Sequence, residues 1–140
     1  MNVLHAIQAT ALGGRAGWVA SIDGALKVKL AKPSASAGRS GGGASPEHLF
    51  AAAYAASFLD ALRAAAAEIK AAITDDANVT VTVGVGRLEG EEGLALDVAL
   101  SLDLPDLDPE TARVLAARAH ALCPYSRALR DRSEPRTAIT

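Results

Sequence analysis

Two spacings of apolar residues divide the chain. Residues 3–11 (VLHAIQATA), 18–22 (WVASI) and 25–30 (ALKVKL) read as short extended segments, separated by GGRAG and by Asp23-Gly24. The Asp-Gly pair predicts a tight two-residue hairpin turn, because both residues tolerate the positive φ that such a turn demands. GGRAG is a looser link, and residues 33–45 (PSASAGRSGGGAS) form a Pro/Gly/Ser-rich loop. Ser45-Pro46-Glu47 then predicts a helix start: a serine cap, proline at the first helical position, and an acid favoured by the helix dipole. That helix is expected from 46 to about 71, with Phe50, Tyr54, Phe58 and Leu62 recurring every four residues as one apolar stripe. Strict alternation follows in NVTVTVGVG and, after GEEG, in LALDVALSL, which predicts an antiparallel hairpin. Asp108-Pro109-Glu110 repeats the cap-then-proline start and opens a second helix through about Leu122. The tail SRALRDRSEPRTAIT lacks the alternation of a regular final strand, and Pro135 would confine any strand there to an edge. This order predicts an α+β fold with mostly antiparallel pairing and helices on one face of the sheet, residues 1–140 forming a single domain.

Composition narrows the class. The chain has 140 residues, 50% of them apolar, with a net charge of −2. That suits one soluble domain with a core of its own. A lone cysteine, Cys123, cannot form an intrachain disulfide, and a cysteine-rich zinc site is excluded with it. The start MNVLHAIQATALGG has no secretory pattern, and the reading is cytoplasmic. LFAAAYAASFL covers about half of the ~20 residues needed to span a bilayer, which marks a core helix and no membrane anchor. No run of Lys and Arg points to nucleic acid. The glycine-rich loop lacks the Gly-Lys-Ser/Thr ending of a phosphate-binding loop, so no nucleotide cofactor is expected, nor a metal.

Few residues can carry chemistry. Cys123 stands between a helix end and Pro124, where it would cap a short following turn whose amide groups favour a thiolate. It would equally serve as a small buried hydrophobe. His120, three residues earlier, is placed to take its proton, or to complement the helix dipole. His5 and His48 show no metal spacing with it. Arg15, flanked by glycines, could meet an anion or a polarised O–O bond, or be a solvated turn residue. Glu47 could pair with an arginine or simply serve the dipole. Ser57, among alanines and aromatics, reads by itself as a small packing residue.

Taken together, the GGRAG segment, the GGGASPEHLFAAAYAASF block, the hairpin with its GVG and the AHALCPYS segment resemble, in order and spacing, a known family. It is that of the organic hydroperoxide resistance proteins of the OsmC superfamily, matched over roughly residues 3–128. The resemblance implies an OsmC-like fold with an antiparallel sheet, a long central helix and a second helix, assembled as an intertwined homodimer. It also implies a thiol peroxidase that reduces alkyl and fatty-acid hydroperoxides to alcohols in the oxidative stress response. A peroxidatic thiolate attacks the peroxide, the resulting sulfenic acid condenses with a resolving cysteine, and a dihydrolipoyl group on a carrier protein reduces the disulfide. Carried over position by position, Arg15 matches the arginine that activates the thiolate, Glu47 the glutamate that orients it, and Cys123 the resolving cysteine. The peroxidatic cysteine falls on Ser57, beside a substrate pocket expected from Phe50, Tyr54 and Phe58.

That departure matters chemically. A serine hydroxyl is un-ionised at neutral pH and attacks peroxide oxygen poorly, so the two-thiol cycle cannot run as written and the chain is expected to be inactive or impaired. Asp60, one turn beyond, adds a charge that would raise the pKa of a neighbouring thiol. Two other readings stay open: a non-catalytic binding protein for a hydrophobic, fatty-acid-like ligand held through Arg15, and a one-cysteine peroxidase that needs Cys123 exposed. Geometry adds one expectation. Glu47 and Ser57 lie about 15 Å apart along a helix and roughly 80° apart around it. Either Arg15 stretches between them, or the glutamate and position 57 around one arginine come from different subunits, which predicts a site at a dimer interface.

Overall fold

Residues 1–32, 43–130 and 135–140 are described by the computed structural model. The glycine-rich loop predicted after residue 32 lies outside them up to residue 42. The chain divides into two compact units, Met1–Leu49 and Phe50–Thr140.

In the first unit, β1 (Ala9–Leu12), β2 (Trp18–Ser21) and β3 (Lys27–Lys29) form an antiparallel sheet in the order β1-β2-β3. Ala9 faces Ser21 and Leu12 faces Trp18. The first strand is shorter than the predicted 3–11, because β2 offers it only four residues to pair with. GGRAG closes the β1–β2 link through a 3-10 turn at Gly14–Ala16. Glycine is obligatory at position 17, where a Cβ would lie 1.7 Å from the Leu12 carbonyl oxygen. The β2–β3 turn corrects the two-residue expectation. The Ser21 amide donates to Leu26 O at 2.9 Å, so residues 22–25 form the loop, with Gly24 at φ 76°. Asp23 dominates it through its carboxylate, which accepts from the Ser21 hydroxyl and from the Ala25 amide at 3.1 Å. Side-chain hydrogen bonding was the competing signal.

Helix α1 (Pro46–Glu68) starts where predicted and ends three residues early, at a left-handed Lys70 with φ 58°. At its start, His48 Nδ1 accepts from the buried Ser45 amide at 3.1 Å. By length and composition α1 would suit a membrane. In the second unit, however, Tyr54, Phe58, Leu62 and Ala65 lie buried in a shared core, as in the central helix of a soluble protein.

The second unit holds the predicted hairpin, β4 (Asn78–Gly86) against β5 (Ala95–Asp103), in register from Asn78↔Asp103 to Gly86↔Ala95. Val98, Leu100 and Leu102 alternate into the core, where they join α1 and α2 (Pro109–Leu122). The α2 start follows its signal: Asp108 accepts from the Glu110 and Thr111 amides at 3.1 and 3.0 Å, ahead of Pro109. A short helix, α3 (Pro124–Leu129), follows at once. The tail forms a strand after all: β6 (Arg136–Ile139) pairs with β5 in parallel, giving the order β4-β5-β6. Pro135 stands just before β6, at a sheet edge, so its missing N–H interrupts no ladder. This second sheet is therefore mixed, while pairing is mostly antiparallel, as expected, with β5–β6 the parallel exception.

Candidate functional site

The first unit builds one pair. The 3-10 turn of GGRAG presents Arg15, and Nη1 donates to Glu47 Oε1 at 2.6 Å, within one chain. Glu47 sits in the first turn of α1, where free amide groups also favour a carboxylate. Its side chain is 14% exposed against 47% for Arg15, so the carboxylate is the fixed partner and the guanidinium the presented one. Burial pushes the Glu47 carboxyl upward, but the Ser45 side chain and Arg15 outweigh it and hold the group below the ordinary carboxylate value. Oε2 is buried without a hydrogen-bond partner among the described residues, which leaves the carboxylate one free acceptor.

The second unit builds the other. Ser57 is partly buried on α1, and its Oγ lies 3.6 Å from Cys123 Sγ. Cys123 is fully buried, as the single extended residue (φ −69°, ψ 123°) between α2 and α3. It stands at the cap of α3 as predicted, but without a side-chain capping bond. The one-cysteine reading needs this thiol exposed, and it is not. Apolar packing from α1 and α2 encloses it.

The three expected pocket aromatics form an edge-to-face ladder, Phe50–Tyr54 at 6.1 Å and Tyr54–Phe58 at 6.2 Å between centroids. Tyr54 and Phe58 have no exposed surface, and only Phe50 of the three is partly exposed. A cleft of about 520 Å³ opens elsewhere in the unit, lined by Arg113, Ala116, His120, Ser126, Arg130 and Thr137 among others. Behind its Ser126 wall stands Tyr54.

The pattern of residues did not reveal one arrangement. Tyr54 Oη lies 2.7 Å from Ser126 Oγ, which lies 3.0 Å from His120 Nδ1, and His120 Nε2 lies 2.8 Å from Thr137 Oγ1. Burial pushes the Tyr54 phenol above its ordinary value, the bond with Ser126 works against this, and charge on Cys123 adds to the rise. The CPYS segment held the only available signal, a hydroxyl three residues beyond the thiol.

One unit thus places a glycine-borne arginine on a helix-start glutamate, and the other sets a hydroxyl against a buried thiol. The chain belongs to the OsmC-like protein family, whose sequence profile matches residues 39–137. It falls within the organic hydroperoxide resistance branch. It is 41% identical to an organic hydroperoxide resistance protein of Xanthomonas axonopodis pv. citri over 129 residues, covering 92% of this chain and 89% of that one. With the Bacillus subtilis organic hydroperoxide resistance protein OhrB, identity is 40% and coverage 91% of each chain. The crystal structure of OhrB matches at a TM-score of 0.88, covering 99% of this chain and 100% of that one, with 37% identity. A Vibrio cholerae organic hydroperoxide resistance protein, crystallised with captopril in one of its active sites, matches at 0.89 and 40% identity, covering 99% of this chain and 94% of that one. These neighbours bear out the α+β, OsmC-like fold.

Proposed function

We propose that this chain is an organic hydroperoxide resistance protein that keeps the frame of a thiol peroxidase and lacks one sulfur. The observation that carries the reading is the 3.6 Å between Ser57 Oγ and Cys123 Sγ. A sulfur on residue 57 would approach Cys123 closely enough for a small side-chain rotation to reach the ~2.05 Å of a disulfide. With cysteine there, its thiolate attacks the terminal oxygen of an alkyl or fatty-acid hydroperoxide. The O–O bond breaks, the alkoxide leaves as the alcohol, and a sulfenic acid remains. Cys123 then attacks the sulfenic sulfur and expels water, and a dihydrolipoyl-type reductant returns both thiols. Arg15, held by Glu47, stabilises the negative charge on the thiolate and the departing alkoxide. An acyl chain meets Phe50 first, with Tyr54 and Phe58 behind it. With serine at 57 the first attack fails.

The protein works as a cytoplasmic homodimer in this reading. Leu12 and Ile22, 72% and 70% exposed in the single chain, are large apolar side chains of the kind a partner covers. The missing thiol favours a second function, a non-catalytic binding protein for a fatty-acid-like ligand whose carboxylate Arg15 holds.

The test is cumene hydroperoxide consumption with a dihydrolipoamide-regenerating system, run on the chain and on Ser57→Cys together. Turnover in Ser57→Cys alone supports the peroxidase frame. Turnover in neither turns the reading to the binding protein, and equal turnover in both makes Cys123 the nucleophile.

A further inference from the structure

The joint that carries Cys123 is weak by itself. Helix α3 has only six residues, and Cys123 caps it without a side-chain bond. A helix this short does not hold in water on its own helical bonds. The backbone supplies two ties, from the Cys123 amide to Ala119 O at 2.8 Å and from the Arg127 amide to Cys123 O at 3.1 Å. Neither connects α3 to α1, the helix that carries residue 57.

Ser126 makes that connection. It is 4% exposed on α3, with Tyr54 of α1 on one side of its hydroxyl and His120 of α2 on the other. The Ser126 hydroxyl bridges Tyr54 Oη and His120 Nδ1, and His120 Nε2 continues the chain of bonds to Thr137 Oγ1 on β6. Rings reinforce it: Tyr125 stacks on Tyr54 with centroids 5.6 Å apart, and Phe58 meets the His120 ring at 4.6 Å. Four elements thus converge on the α2–α3 joint. Breaking the chain of bonds at Ser126 would strand the Tyr54 hydroxyl, which has no exposed surface, without its partner.

We propose that Tyr54, Ser126 and His120 form a polar latch whose work is to position Cys123 against residue 57. All three are positioning residues, none of which needs to touch a substrate. The inference rests on the reading of 57 and 123 as a thiol pair, and its test separates the two. In Ser57→Cys, two thiols and oxidised glutathione give one intrachain disulfide and two reduced glutathiones, and the equilibrium constant measures how well the sulfurs are placed. Mass spectrometry distinguishes that bond from a mixed disulfide. In this background Ser126→Ala should lower the constant about tenfold, the worth of one hydrogen bond.

The histidine variants discriminate further. In His120→Asn the shorter amide would reach the place of Nδ1 and keep the Ser126 bond, whereas in His120→Gln the longer amide would reach the place of Nε2 and lose it. His120→Asn should therefore stay near the parent and His120→Gln should fall with Ser126→Ala. Equal losses in the two histidine variants would reduce His120 to a packing ring and overturn the latch, as would an unchanged constant in Ser126→Ala. Leu115→Ala, which removes core packing without touching the latch, should leave the constant within about threefold of the parent. If Ser57→Cys forms no intrachain disulfide, the thiol-pair reading fails. The latch is then judged in the Ser57 chain by the rate at which Ellman's reagent labels Cys123. Faster labelling in Ser126→Ala and His120→Gln than in His120→Asn upholds it, and equal rates refute it.

Discussion

The two residue pairs, one in each compact unit, are held by opposite means. Arg15 and Glu47 are opposite charges on a glycine turn and a helix start, and the arginine is half exposed. Ser57 and Cys123 set a hydroxyl oxygen against a sulfur 3.6 Å away, and Cys123 has no exposed surface inside a packed core. The charged pair can be altered by solvent, salt and pH without disturbing the fold around it. The buried pair responds to atom identity and packing. Substitutions at the first should therefore change chemistry at small cost in stability, and substitutions around the second should change stability first.

The sharpest way to break that contrast lies in the core. Phe58 has no exposed surface, touches Tyr54 and His120, and belongs to the cluster that encloses Cys123. Phe58→Ala should cost about 3–5 kcal/mol in denaturant unfolding. A loss below about 1 kcal/mol would mean that the aromatic ladder is not the support of the thiol. Next in size is Arg15→Ala in the Ser57→Cys background. It should lower kcat/KM for cumene hydroperoxide on the order of 10²-fold, the scale of one lost charge-stabilising donor, while the unfolding midpoint stays near the parent's. If stability falls as steeply as activity, the charged pair is structural and the contrast fails.

Local signals were legible and non-local ones were not. The start of α2 at Asp108-Pro109 and the β4–β5 hairpin are encoded within a few residues by capping and by alternation, and both formed as expected. The end of α1 carried no stop signal in its alanine-rich run, and a left-handed Lys70 set it. β6 depends on a parallel partner far away in the chain, so its weak alternation did not reveal its direction. The site divides in the same way. Arg15, Glu47 and Cys123 lay in recognisable segments, but the Tyr54–Ser126 bond joins residues 72 positions apart through hydroxyls that no local pattern marks.

A smaller effect probes the turn that presents Arg15. At Gly17 a Cβ would meet the Leu12 carbonyl oxygen at 1.7 Å, which no rotation of a side chain relieves. Gly17→Ala should cost roughly 2 kcal/mol and shift the amide resonances of residues 12–17, with those of the β4–β5 hairpin unmoved. Gly14→Ala meets no neighbouring atom and bears only the strain of its φ of 58°. Its cost should be about 1 kcal/mol. Equal losses at the two glycines would show that backbone strain, rather than the close approach to Leu12, shapes the turn.

The smallest expected effect tests the charged pair by pH. In the folded chain the Glu47 carboxyl is held below its ordinary value of 4.5, with burial opposing the shift and the Ser45 side chain and Arg15 producing it. A carboxyl with a depressed folded pKa binds fewer protons folded than unfolded. Its stabilisation is therefore complete above the ordinary value and drains away as pH falls through the folded one. Because Arg15 is half exposed and solvent screens the pair, the whole contribution should stay within about 1 kcal/mol. Urea unfolding of the Ser57 chain should thus lose stability between neutral pH and acid, and Glu47→Gln should lose less over the same range. The difference between the two curves should shrink with added salt. Parallel curves would show that Glu47 gains nothing from its partner on folding, which leaves Arg15 oriented by the turn alone.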